Sequence, residues 1–198
     1  MFRGYAFAWC FLGAYLSGEI LFLAMGAHGQ AVLTGWATTS VANLEHDPVV
    51  PLLLSPFTGE RDWYAWPVLI ALTLFGANRA VGSLRAAVIC LAGHVLGTLV
   101  SEGVVAYRVD AGQLPVSYRH LTDVGPSYVV LSAIMIVLLR GTARARVAAG
   151  LSLAVLIVIG HIFGGLSRLD VAAVGHLTAA VTAAVMTLRA RPRCRSGT

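Results

Sequence analysis

Lysine is missing from this chain: all fourteen basic residues among its 198 are arginines. Charge of either sign is scarce, at 12% of residues, against roughly 25% in an ordinary soluble domain. A surface of the usual water-exposed kind cannot be built from so few charges, which excludes a water-soluble fold. The net charge of +5 does not point to nucleic acid, because the arginines sit at the ends of apolar stretches instead of clustering on one face. Cysteine is rare and unpaired in spacing: Cys10 and Cys90 lie inside apolar stretches and Cys194 in a basic tail. Neither a disulfide framework nor a zinc site is expected, and no other spacing calls for a metal or cofactor. No cleavable leader is expected either, since Arg3 precedes an apolar run of about twenty residues, longer than a leader core and without a clear small-x-small cleavage site. That run is expected to be a retained first helix.

What the chain has in abundance is apolar length, 58% of it hydrophobic, recurring along its whole extent with short breaks. A membrane-crossing helix needs roughly 20 apolar residues. Six stretches qualify as candidates, at about 5–25, 66–81, 86–107, 126–139, 147–166 and 171–188, followed by a basic tail at 189–198. The expected fold is therefore all-α, a single polytopic membrane domain over 1–198 with six helices, the second and fourth of them short. No internal repeat is visible.

Charge placement tests that count, because an even number of spans puts both termini on one side. Arg3, Arg79, Arg85, Arg140, Arg144, Arg146, Arg189, Arg191, Arg193 and Arg195 fall on one side, and only Arg61, Arg108, Arg119 and Arg168 on the other. Ten against four places the termini in the cytoplasm of a multi-pass protein of the cell membrane. Glu45, Asp47, Glu60, Asp62, Asp110, Asp123 and Asp170 all fall outside, leaving Glu19 and Glu102 within helices. The longest connection, 27–64, is external. Its Pro48, Pro51 and Pro56 forbid a long regular helix, and its apolar run 49–54 with Trp63 and Trp66 suits the outer leaflet.

Ionisable or nucleophilic groups inside a bilayer are costly, so each is a functional candidate. Ser127 stands thirteen residues before Arg140, and His176 thirteen before Arg189. At about 1.5 Å per residue, both lie about 20 Å above the cytoplasmic boundary and level with each other. Asp123-Val124-Gly125-Pro126-Ser127 reads as a helix start with Pro126 at the first helical position. A fourth helix of about 21 Å cannot fill a hydrocarbon core of about 30 Å, so its N-terminus is expected to be recessed and wet. There Ser127 meets the unpaired N–H groups and positive dipole of a helix start, where an oxyanion is stabilised, and His176 is a base able to take its proton. Small residues at Gly175, Ala179 and Ala183 would let the sixth helix pack closely, and Gly160 and Gly164 would do the same on the fifth.

Gly125-Pro126-Ser127 and Gly175-His176 resemble the Gly-x-Ser-Gly and Ala-His motifs of the rhomboid intramembrane proteases, and the helix number, long first loop and short fourth helix match over most of the chain. The resemblance implies a six-helix bundle in which Ser127 is the nucleophile and His176 the general base, cleaving transmembrane protein substrates near the outer face. Two departures stand out. Tyr128 follows the serine where the family has glycine, and residues 63–75 contain neither the histidine nor the asparagine that would complete the oxyanion site. Asn43 or His46 of the first loop would be the substitutes, with Gly125 and Tyr128 lining the site. The alternative implied is an inactive relative that binds transmembrane clients.

The remaining polar residues receive plainer expectations. His161 lies at a depth similar to His176 and is a rival base. His94 and Glu102, eight residues apart, share one face of the third helix and are expected to form a structural pair. Glu19, near the outer end of its helix, is expected to snorkel or to cap a neighbouring helix. A transporter built on Glu19, His94 and Glu102 would need the repeat that is missing.

Overall fold

The computed structural model describes residues 2–59 and 64–190, with side chains from Gly4 onward. Glu60, Arg61, Asp62, Trp63 and the tail with Arg191, Arg193, Cys194 and Arg195 lie outside the described residues, as does the side chain of Arg3. Among the described residues every regular element is helical: α1 (Ala6–Ala24), α2 (Ala27–Ala37), α3 (Val41–His46), α4 (Val49–Leu54), α5 (Trp66–Val81), α6 (Ser83–Asp110), α7 (Ser127–Arg140), α8 (Ala143–Val158) and α9 (Val171–Arg189).

Six of these occupy the places expected for the long helices. By length and composition α1, α6 and α9 are sufficient to cross a membrane, whereas α5 and α7 are apolar but shorter. The fifth helix departs from its expected boundaries of 147–166. It begins earlier, where the Thr142 hydroxyl accepts the Ala145 N–H at 3.4 Å, and it ends at Val158. Gly160 and Gly164 lie beyond its end, in a stretch where His161 (φ 48°), Gly165 (φ 79°) and Leu169 (φ 58°) adopt left-handed backbone. Only Gly165 of these three is a glycine, and the expected glycine packing seam on the fifth helix is absent because Gly160 and Gly164 follow its last turn.

The external connection 27–59 folds into the short helices α2 to α4 and a 3-10 turn at Ser55–Phe57. Pro48 caps α4 and Pro56 is the second residue of the turn, whereas Pro51 lies within the first turn of α4, and no regular helix in the segment is long. Trp36, Val49 and Leu53 face outward, more than half exposed.

α7 forms the centre. Every residue from Tyr128 to Ile134, together with Ile136 and Val137, is buried, as expected of a helix apolar on all sides. It packs against α5, α6, α8 and α9, while α6 and α9 form the most extensive helix pair. Such packing in lipid depends on close approach rather than on hydrophobic transfer. Small residues supply that approach: a Cβ at Gly93 would collide with the Ser132 hydroxyl, and one at Gly97 would come within 3.0 Å of the Gly175 carbonyl. At the other end Arg140, the last residue of α7, donates to the carbonyls of Thr187 (3.2 Å) and Ala190 (3.0 Å) at the end of α9. The two helices therefore run parallel with their C-terminal ends aligned.

Candidate functional site

The start of α7 is fixed by its neighbours before any chemistry is considered. Gly125 has φ 116°, a left-handed value that glycine adopts without strain, and its N–H donates to the Ser55 carbonyl at 2.7 Å. Pro126 is the cap, not the first helical residue as its position after Gly125 suggested; Ser127 takes that place. The first bond around the cap runs from the Val130 N–H to the Pro126 carbonyl, 2.9 Å. The N–H groups of Ser127, Tyr128 and Val129 thus precede the helical ladder, as at any helix start.

Two threonines of the first external connection hold the segment leading into α7. The Asp123 N–H donates to the Thr38 hydroxyl at 2.7 Å, and the Thr39 N–H donates to the Asp123 carbonyl at 3.0 Å. The Thr39 and Tyr128 hydroxyls both donate to Oδ2 of Asp123, at 3.2 and 3.0 Å. Burial holds the Asp123 carboxyl above the ordinary aspartate range, although both hydroxyls pull it down. Farther out, Arg119 bridges Glu45 of α3 and Asp110 at the end of α6, at 2.8 and 2.7 Å.

Tyr128 is the hub. Its ring meets the His176 imidazole edge to face with centroids 4.9 Å apart, and the His94 imidazole lies 6.2 Å away on another side. Gly97 of α6 and Gly175 of α9 make the slot: a Cβ at 175 would collide with the Tyr128 hydroxyl, and one at 97 would meet its ring at 3.4 Å. His176 is 5% exposed, and neither ring nitrogen makes a hydrogen bond of good geometry; the Ile162 and Ala172 backbone carbonyls face the ring more loosely. No hydrogen bond joins His176 to Ser127, which is half-buried. What the fold brings together is His176 and the residue adjoining Ser127, at the upper ends of parallel helices.

The other candidates separate from this centre. Asn43 donates from its amide to the Gly35 and Thr38 carbonyls, at 2.7 and 2.9 Å, tying α2 to α3. His46 is exposed. Both border a shallow surface pocket with Trp36 and Pro51. Asn43 is thereby committed to a local turn. His161 was expected among the buried polar residues; it is exposed, because α8 has already ended and the backbone turns outward at its positive φ. Glu19 does not snorkel: it is 2% exposed and turned into the bundle near Tyr15. His94 and Glu102 do lie buried on one face of α6, but they are not a pair. His94 Nε2 lies 3.0 Å from the Leu52 carbonyl and 3.5 Å from the Ser55 hydroxyl, tying α6 to the first external connection. Glu102 faces Asp123 and Val41 instead.

Several polar residues of this region were not candidates from sequence. Thr38, Thr39, Ser55, Thr98, Ser101 and Asp123 all converge here, and all but Asp123 are buried. One signal was available for α6: residues 94, 98, 101 and 102 fall on one helical face, a polar stripe in an otherwise apolar helix. Among the described residues no group of three or more histidine, cysteine, aspartate or glutamate side chains is placed to hold a metal.

An all-helical chain with membrane-length apolar helices, whose polar side chains gather around the start of a short central helix, is a polytopic membrane protein with an internal polar site. The family model described as Rhomboid-like protein matches residues 3–197, and the chain belongs to that family. Comparison with curated proteins and comparison with solved structures each return no match.

Proposed function

We propose that this chain is a rhomboid-like intramembrane serine protease of the cell membrane, with Ser127 as nucleophile and His176 as general base. The observation that carries the reading is the buried, weakly engaged imidazole of His176, packed against the residue adjoining Ser127. A neutral imidazole with a free nitrogen is what a serine hydroxyl requires of its base. The Arg140 ties between the far ends of α7 and α9 support equal depth for the two residues. The N–H groups opening α7 supply the donors toward which an oxyanion would form. On this reading six helices cross the membrane with both termini cytoplasmic, α7 is recessed from the outer face, and substrates are transmembrane proteins cut near that face. Water attacks the acyl-enzyme in the second half-reaction, and no cofactor enters.

Tyr128 favours a second reading, in which the chain is a non-catalytic relative that holds transmembrane clients. Its ring packs against the imidazole, and α5 contributes neither histidine nor asparagine at its outer end. Losing one oxyanion donor typically costs roughly 100- to 1000-fold in rate.

Co-reconstitution of the purified chain with a tagged transmembrane substrate distinguishes the two. A fragment formed by wild type and absent with Ser127→Ala and with His176→Ala supports the protease. Intact substrate recovered bound to all three forms, with no fragment, supports the client-binding reading.

A further inference from the structure

Leu52 carries a carbonyl that its own short helix cannot satisfy. The last carbonyls of a helix lack partners from the ladder, and the N–H that would reach Leu52 from one turn on belongs to Pro56, which has none. The missing donor comes from another helix. His94 of α6, 3% exposed, places Nε2 3.0 Å from that carbonyl and 3.5 Å from the Ser55 hydroxyl. A carbonyl only accepts, so Nε2 carries the proton. Nδ1 makes no hydrogen bond, and the polar hold on the ring is through Nε2 alone. Burying an imidazole costs free energy unless it is bonded. An apolar side chain would fill the same space without that cost, so what the imidazole adds is the bond.

The turn that His94 holds is also the one against which α7 starts. The Ser55 carbonyl accepts the Gly125 N–H at 2.7 Å, two residues before Ser127. Pro126 follows directly, and its ring allows little rotation, so a shift of the Gly125 amide is passed on to Ser127. On its other side the His94 ring lies 6.2 Å from that of Tyr128. His94 thus stands between the first external connection and the opening turn of α7.

We propose that His94 is a positioning residue for Ser127: by holding residues 52–55 through Nε2 it sets the Gly125 amide, and with it the point at which Ser127 enters α7. The consequence for catalysis rests on the protease reading. A misplacement of about 1 Å at a reacting group costs roughly 100-fold in rate, so the loss of one such bond is expected to register in the reactivity of Ser127.

Two readouts on the full chain in detergent test this: hydrogen–deuterium exchange at the Gly125 amide, and the rate of fluorophosphonate labelling of Ser127. His94→Gln puts an amide N–H where the Nε2–H stands, whereas His94→Leu fills the space without a donor. His94→Asn stops short of Leu52, is expected to behave as His94→Leu does, and serves if the leucine variant does not fold. His94→Leu is expected to speed exchange at Gly125 and to slow labelling, each by about tenfold or more, with the amides at the Arg140 end of α7 unchanged. His94→Gln should stay within about threefold of wild type on both. Unchanged exchange at Gly125, equal acceleration along the whole of α7, a glutamine variant as impaired as the leucine one, or undiminished labelling despite a loosened Gly125 would each overturn the proposal. A wild type that takes no label removes the protease reading, and exchange then decides alone: loosening confined to the α7 start and restored by glutamine sustains His94 as the residue that positions it, and its absence overturns that.

Discussion

The ring of Tyr128 and the imidazole of His176 meet edge to face at 4.9 Å, at the upper ends of two parallel helices whose lower ends Arg140 joins. Edge-to-face aromatic pairs contribute about 0.5–1.5 kcal/mol beyond the area they bury. This contact fixes the orientation of the buried His176 imidazole against the residue that follows Ser127, and the tyrosine is held in turn by Asp123.

Removing only the hydroxyl should separate those two roles. Tyr128→Phe keeps the ring on His176 but leaves the Asp123 carboxylate one donor short, and is expected to cost about 1–3 kcal/mol. Tyr128→Ala also empties the slot between α6 and α9, for which about 3–5 kcal/mol is expected. Thermal melting in detergent, with both variants compared at one pH, checks the order.

Gly175 is expected to be intolerant for one reason only. Gly175→Ala drives a methyl into Tyr128 and should destabilise by about 1–3 kcal/mol. In a Tyr128→Ala background the same substitution should cost far less, so the double-mutant cycle should be strongly non-additive. Additive losses would show that Tyr128 does not occupy the space beside Gly175.

Two further glycines should behave oppositely. Gly125→Ala places a side chain at φ 116° and is expected to cost about 1–3 kcal/mol. Gly103 is in the middle of α6, with no atom within 4 Å of the space its Cβ would take. Gly103→Ala should be neutral or stabilise by up to about 1 kcal/mol.

Asp123 sets a pH dependence. Its carboxyl titrates above the ordinary aspartate value in the folded chain, so the folded state holds a proton that the unfolded state has already lost. Its contribution to stability is full below the ordinary aspartate value and is lost as pH rises through the raised one. The melting midpoint should fall across that window in wild type, and the slope should flatten in Asp123→Asn.

The long apolar helices were legible because composition and length alone decide which segments can lie in lipid. The arginine-marked ends of α7 and α9, which Arg140 joins, were legible for a similar reason: Arg140 and Arg189 each close an apolar run. The end of α8 was not, because Ile159 and Ile162 continue the apolar run while the backbone has already turned at His161. Nor was the fate of Asn43, since an amide in a polar loop serves a local turn or a distant site with equal ease until the turn is seen. Tyr128 was legible as an obstruction but not as a hub, because its partners Gly97, Gly175 and Asp123 come from three separate segments. Hydroxyls such as those of Thr38 and Thr39 carry no signal until folding sets them against Asp123.

Fluorophosphonate labelling of the purified, lipid-reconstituted chain reads the reactivity of Ser127 most directly. Labelling of wild type that disappears in Ser127→Ala and falls sharply in His176→Ala is the expected result. A wild type that takes no label in any lipid or detergent, or labelling that persists in Ser127→Ala, would contradict the assignment of Ser127 as the nucleophile.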